Sequence, residues 1–308
     1  MRSSVFCIIM FLVAFQCSSP FQCFSQDDID LIETPDVMVY FDKRLAAPAR
    51  DILLMYPVIS RDLEHSFRWR LSYRPTIVLI RERNSFDEII GGKLFVALAI
   101  PQKKCIIINY ARMKHPFTLK ATVKHELCHL LLHDHIRTDT LPRWLDEGIA
   151  QWSSDGPAEI IMHRDRFILR RTVLTGHHIR LEDLHHYFPR NEDALLLAYE
   201  ESKNIVEYLI GEYGIEMLVD ILHDLKEGRD IATALSDRLS LSLNDLEEQW
   251  LQGFKQQTWL FSFVSIYFNR ILFFMAALLA FLGLIRLMIR RKNYPGIDDP
   301  DDEDYFSP

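Results

Sequence analysis

The sequence predicts an α+β fold: a mixed N-terminal sheet, a mostly helical part after it, and one transmembrane helix near the C-terminus. Three observations carry this. Short, β-rich apolar runs at Val37–Phe41, Thr76–Ile80 and Cys105–Asn109 alternate with helix-spaced or loop sequence. From Asp193 to about Gln257 the pattern is helical almost throughout. Ile271–Ile285 is then fifteen uninterrupted apolar residues.

The 308 residues are enough for one large domain or two small ones, with 49% hydrophobic and 25% charged residues. The net charge of −8, with no basic stripe, argues against nucleic acid as a partner. Charge is concentrated at the end of the chain. Arg286, Arg290, Arg291 and Lys292 form a basic cluster, and Asp298, Asp299, Asp301, Asp302, Glu303 and Asp304 an acidic tail. The middle is mildly acidic, which specifies no partner and no oligomeric state.

Residues 1–25 read as a signal peptide: Met1-Arg2, an apolar Val5–Phe15, and small residues Cys23 and Ser25 before a cut ahead of Gln26. A retained N-terminal anchor is the alternative. Ala14-Phe15-Gln16 before Cys17 is a poor lipid-attachment box. Cys7, Cys17 and Cys23 leave with the signal peptide, and Cys105 and Cys128 are expected as buried free thiols.

Residues 26–117 are expected to form the N-terminal α/β part. Within it, Arg44–Phe67 carries Leu53, Leu54, Val58, Ile59 and Leu63 at helical spacing, and Gly91-Gly92 marks a loop. Residues 118–258 follow, with a helix over Leu119–His133 and a second opening at Pro142-Arg143-Trp144, where proline suits the first turn. Helices are then expected at Ala194–Tyr213, Ile215–Lys226 and Ile231–Leu239, and Ser242-Leu-Asn-Asp245 caps one running through Trp250.

Residues 259–289 hold Trp259, Phe261, Phe263, Tyr267 and Phe268 as an interfacial aromatic belt and then the apolar span. Extended to Ile289, nineteen residues of helix cover about 28 Å, close to the hydrocarbon thickness. The basic cluster after it puts residues 290–308 in the cytoplasm and everything before the span outside it. A buried core helix is the competing reading.

The chemistry centres on His125-Glu126-Leu127-Cys128-His129. Two histidines four residues apart lie one above the other on a helix and can reach one metal ion. Glu126 beside the first can contact a metal-bound water without being a ligand. This is a zinc-hydrolase arrangement, in which the glutamate takes a proton from the attacking water. A catalytic zinc site wants a third protein ligand. His135 stands at a tempting spacing, but that pattern needs a helix-breaking glycine where this chain has Leu132. Glu147, eighteen residues after His129 on a second helix, is the better candidate, and Gly148 beside it permits close helix approach.

These residues resemble a known family. His125-Glu-x-x-His129 followed by Pro142-Arg-Trp-Leu-Asp-Glu147-Gly-Ile-Ala-Gln-Trp152 is similar to the gluzincin metallopeptidases, specifically the peptidase MA-like domains. The similarity continues through Ala198–Leu209, Tyr213-Gly214 and Leu241–Trp250, so it covers about residues 118–255. It implies a zincin-like fold, a Zn²⁺ cofactor held by His125, His129 and Glu147, Glu126 as general base, and a peptide or protein substrate. Tyr199 resembles the tyrosine in the family's helix after the third ligand, which implies an oxyanion donor; a core tyrosine is the alternative.

This chain departs from the family at Gln151, where some members place an aspartate that orients a histidine. Asp146 adjoins the ligand but is expected to point elsewhere. No aminopeptidase-type Gly-x-Met-Glu-Asn motif occurs, and Cys128 reads as a packing thiol. His177-His178 and His185-His186 read as exposed polar residues of a loop and short helix, against the alternatives of a second metal site or a cleft lip. The expectation is a single-pass membrane-anchored zinc metallopeptidase; the alternative is a catalytically silent binding or scaffold module of the same fold in the cell envelope.

Overall fold

A computed structural model of the chain describes residues 29–81, 95–113, 118–154 and 168–293. The expected signal peptide, the Gly91-Gly92 loop and the acidic tail lie outside the described residues. So do the side chains of Trp259, Phe261, Phe263, Tyr267, Arg291 and Lys292. Two compact units are present, Met1–Leu251 and Gln252–Pro308.

The first unit opens with a five-stranded mixed sheet: β1 (Ile29–Glu33), β2 (Met38–Asp42), β3 (Thr76–Ile80), β4 (Ala97–Ile100) and β5 (Cys105–Asn109), in the order β1-β2-β3-β5-β4. The three β-rich runs of the sequence became β2, β3 and β5, which pair in parallel. β1 and β4 add antiparallel edges. These two were not read from sequence. Ile-Asp-Leu-Ile-Glu and Ala-Leu-Ala-Ile are rich in residues that strands disfavour, and their partner strands hold them extended.

α1 (Ala46–Phe67) crosses from β2 to β3 and buries Ala49, Ile52, Tyr56, Ile59, Leu63 and Phe67, one stripe at three- and four-residue spacing. It ends at Arg68, whose left-handed backbone (φ 59°) lets its N–H reach the Glu64 carbonyl. α2 (Leu119–His135) is N-capped by Thr118, whose hydroxyl accepts the Ala121 N–H at 3.2 Å. It is buried continuously from His125 to Leu132, as a helix packed on several sides must be. Leu132 carries it on to His135, past the point where the rejected third-histidine pattern needs a break.

α3 (Arg143–Ser154) lies between α2 and α5 (Glu192–Tyr213), with α4 (Ile168–Thr175) before α5. α4 went unread: it is a short helix of eight residues. Gly148 is where α3 meets α5. A Cβ there would sit 2.4 Å from the Ser202 carbonyl oxygen and 2.6 Å from a Val206 methyl. Backbone cannot yield as a side chain does, so Gly148→Ala is expected to destabilise the fold by about 2 kcal/mol or more. A urea midpoint equal to wild type would contradict this contact.

α6 (Ile215–Lys226), α7 (Ile231–Leu239) and the first turns of α8 (Leu243–Asn293) complete the helical part, close to the bounds read from sequence. Cys105 and Cys128 are free and buried, and burial pushes both thiols up to about 12, so neither is a reactive thiolate. In the second unit, Arg270–Arg290 is long and apolar enough to cross a membrane, and none of it is buried.

Candidate metal centre

On α2, His125 and His129 are four residues apart, and their Nε2 atoms face each other at 3.2 Å. Across from them α3 presents Glu147, whose Oε2 lies 3.8 Å from His125 Nε2 and 3.5 Å from His129 Nε2. The edge of a tetrahedron of zinc ligands at 2.0–2.1 Å is about 3.3 Å. The three ligand atoms therefore already stand near the separations a bound ion requires. Oε2 of Glu147 is a buried carboxylate oxygen faced by the two imidazoles, so a positive charge between them would satisfy it. Its other oxygen, Oε1, is held by the Tyr199 hydroxyl and by Arg143 Nη2, each at 3.2 Å. One oxygen is anchored by the protein and the other is offered to the metal position.

The second carboxylate of α3 corrects an expectation. Asp146 does not point elsewhere: its Oδ1 meets His129 Nδ1 at 2.7 Å, and its Oδ2 meets His133 Nε2 at 3.0 Å. His125, His129 and His133 form one stripe at four-residue intervals. Asp146 and Glu147, about 100° apart on α3, both reach it. A carboxylate on Nδ1 fixes the proton there and leaves the Nε2 lone pair for a metal. Gln151, where the family resemblance suggests an orienting residue, donates Nε2–H to the Tyr199 carbonyl at 3.0 Å. Asp146→Asn is expected to weaken zinc binding by about 10–100-fold. Competition with a chelating dye measures it, and an unchanged affinity would remove Asp146 from the site.

The electrostatics suit a cation. Burial, reinforced by His129, lowers His125 to about 4, so it is a neutral imidazole at ordinary pH. Burial on its own lowers His129, but Asp146 and Glu147 outweigh it and raise this histidine. Burial raises the two carboxyls, and the histidines draw both back below the usual carboxylate range. A buried site with anionic carboxylates facing imidazoles has the charge balance to hold a divalent ion in place of a proton.

Glu126, fully buried on α2, joins His129, Glu147, His133, His185 and His186 among the residues lining a cleft of about 280 Å³. Leu98 and Ala99 of β4 form part of its wall. Tyr199, expected as an oxyanion donor, is wholly buried; its hydroxyl is engaged behind the ligand, on Glu147 Oε1. In this position it supports Glu147, the place the core-tyrosine alternative gives it. His135 stacks on Trp69 with 4.8 Å between ring centroids and bonds the Arg70 carbonyl at 2.8 Å, away from the other histidines.

Of the paired histidines read as exposed, His177 and His186 are exposed and His178 and His185 half-buried, while His185 and His186 line the cleft, as the lip alternative had it. The segment 177–187 is pinned from below. The Ile179 N–H donates to both oxygens of Glu201 at 3.1 Å, and Glu247 accepts the Leu181 N–H at 2.7 Å and meets His178 Nε2 at 3.1 Å. Burial and the nearby Glu247 raise Glu201 to about 8 against its hydrogen bond from Ile179. The folded protein therefore binds this proton more tightly than the unfolded chain. The associated stability is full below pH 4.5 and is lost as pH rises to about 8. Glu201→Gln keeps an acceptor for Ile179 and cannot ionise. Its stability relative to wild type is expected to grow from pH 5 to 8 by roughly 3 kcal/mol. Denaturant titrations at the two pH values check this; parallel curves would contradict it.

Comparison with known proteins adds one finding. Residues 87–256, more than half of the chain, match the family model described as the peptidase MA superfamily. No curated protein matches the sequence.

Proposed function

The chain belongs to the peptidase MA superfamily, with a gluzincin-like domain, and from that premise we propose that it is a membrane-anchored zinc metallopeptidase. The observation that carries this reading is the convergence of His125 Nε2, His129 Nε2 and Oε2 of Glu147, all within 4.8 Å of one another. His125, His129 and Glu147 would hold the ion. Bound zinc supplies a Lewis acid and lowers the pKa of a coordinated water toward about 7.

The chain's own groups do the rest. Glu126, one residue after the first histidine and facing the cleft, is the general base: its carboxylate accepts the proton of the attacking water and passes it to the leaving amine. Asp146 keeps His129 in the tautomer and orientation that ligation needs. Tyr199 and Arg143 are positioning residues that fix the unused oxygen of Glu147. β4 is an edge strand whose Leu98 and Ala99 face the cleft, so an extended substrate can add to it as a further strand.

The same reading divides the chain into a signal peptide (1–25), the two parts of a zincin-like domain (26–117 and 118–258), a membrane segment (259–289) and a cytoplasmic tail (290–308). The apolar Arg270–Arg290 helix and the basic residues that close it support an anchor with the peptidase domain outside the cytoplasm. Peptide-library cleavage by the detergent-solubilised chain tests the activity. Chelator-sensitive products are expected, and a zinc-loaded chain that yields no new termini would leave a silent binding module instead. Cysteine labelling from either side of sealed vesicles tests the orientation: a probe at residue 300 is expected to react only from the cytoplasmic side.

A further inference from the structure

The proposed chemistry uses α2, α3 and the β4 edge of the cleft and leaves one wall unassigned. That wall comes from the segment 177–187. Its rings, His185 and His186, pack edge to face at 4.4 Å between centroids; His185 is half-buried and His186 exposed. The segment is tied to the metal centre through its backbone. The Arg143 N–H donates to the His185 carbonyl at 2.8 Å and the Trp144 N–H to the Leu184 carbonyl at 3.2 Å, which satisfies N–H groups at the start of the helix that carries Glu147. Just beyond, Phe188 packs under the Arg143 guanidinium at 5.1 Å and edge to face on Tyr199, also at 5.1 Å. Both of those residues hold Glu147. Beneath, Glu247 clamps the segment through Leu181 N–H and His178.

The segment is thus fixed at both ends, while His185 and His186 line the same cleft as Glu126 and Glu147. Each imidazole presents N–H and N groups suited to the acceptors and donors of a peptide backbone. We propose that His185 and His186 are specificity-determining residues of this cleft, contacting the bound peptide beside the scissile bond, and that Glu247 is the positioning residue that holds them there. This rests on the zinc-peptidase reading and assigns its substrate wall.

The test separates the two. Acetohydroxamate touches only the metal, whereas a dipeptide hydroxamate also reaches the walls of the cleft. Binding of both is measured to the zinc-loaded full chain in detergent, with thermal melting as the check on folding. The double variant His185→Ala/His186→Ala keeps the backbone carbonyls that cap α3. It is expected to bind the dipeptide hydroxamate on the order of tenfold more weakly, the loss of about two hydrogen bonds, with acetohydroxamate unchanged. Glu247→Ala is expected to weaken the same probe, and Glu247→Gln, which keeps an acceptor for Leu181, to restore most of the affinity. Unchanged affinity for the dipeptide probe in the double variant overturns the assignment. So does a parallel loss of both probes, which would place the effect at the metal. Failure of acetohydroxamate to bind the wild type would overturn the zinc reading itself, and this inference with it.

Discussion

Glu126→Gln is expected to lower peptide hydrolysis by about 10²–10⁴-fold while zinc stays bound. The exchange keeps size and shape in a position with no exposed surface, so packing of α2 is preserved. What it removes is the carboxylate that accepts a proton. The three ligand atoms belong to His125, His129 and Glu147, so elemental analysis of the variant should match wild type. The comparison is made on one peptide at saturating concentration. Retained hydrolysis would remove Glu126 as the base, and loss of zinc along with activity would make it a ligand or a structural residue.

The second large effect is on the metal itself. Glu147→Gln keeps the contacts of the anchored oxygen with Tyr199 and Arg143 but replaces the anionic Oε2 by a neutral amide. Losing a charged ligand is expected to weaken zinc by more than about 100-fold, beyond the 10–100-fold range of an outer-shell partner. The order wild type, Asp146→Asn, Glu147→Gln in a chelating-dye competition is the expected result. An inverted order would exchange the roles of the two carboxylates.

Much of the site was legible because helical spacing is rigid. His125 and His129 had to share a face, and Leu132 had to continue the helix past His135. Glu147 followed from the need for a third ligand on a packed helix, and Gly148 marked where that helix comes close to its neighbour. Asp146 was not legible. Neighbouring helix residues diverge by about 100°, and only the placement of α3 across α2 brings both side chains to the histidine stripe. His133, one more turn along that stripe, was the signal that could have pointed to a second partner. The target of the Tyr199 hydroxyl was not legible for the same kind of reason: its contact with Glu147 Oε1 depends on where α5 crosses α3. The segment that carries His185 and His186 is held by Glu201 and Glu247, which lie in two helices later in the chain. In the sheet, β2, β3 and β5 announced themselves through β-branched runs, whereas β1 and β4 are extended because their neighbours pair with them.

The central claim is that one zinc ion at His125, His129 and Glu147 makes this chain a peptidase. Stepwise zinc addition to the chelator-treated full chain, with hydrolysis of one library-derived peptide as readout, tests it most directly. Activity should be absent without metal, rise linearly and level off at about one zinc per chain; Glu147→Gln should need a large excess. Hydrolysis that persists after chelation, or zinc that binds at this stoichiometry without producing cleavage, would contradict it.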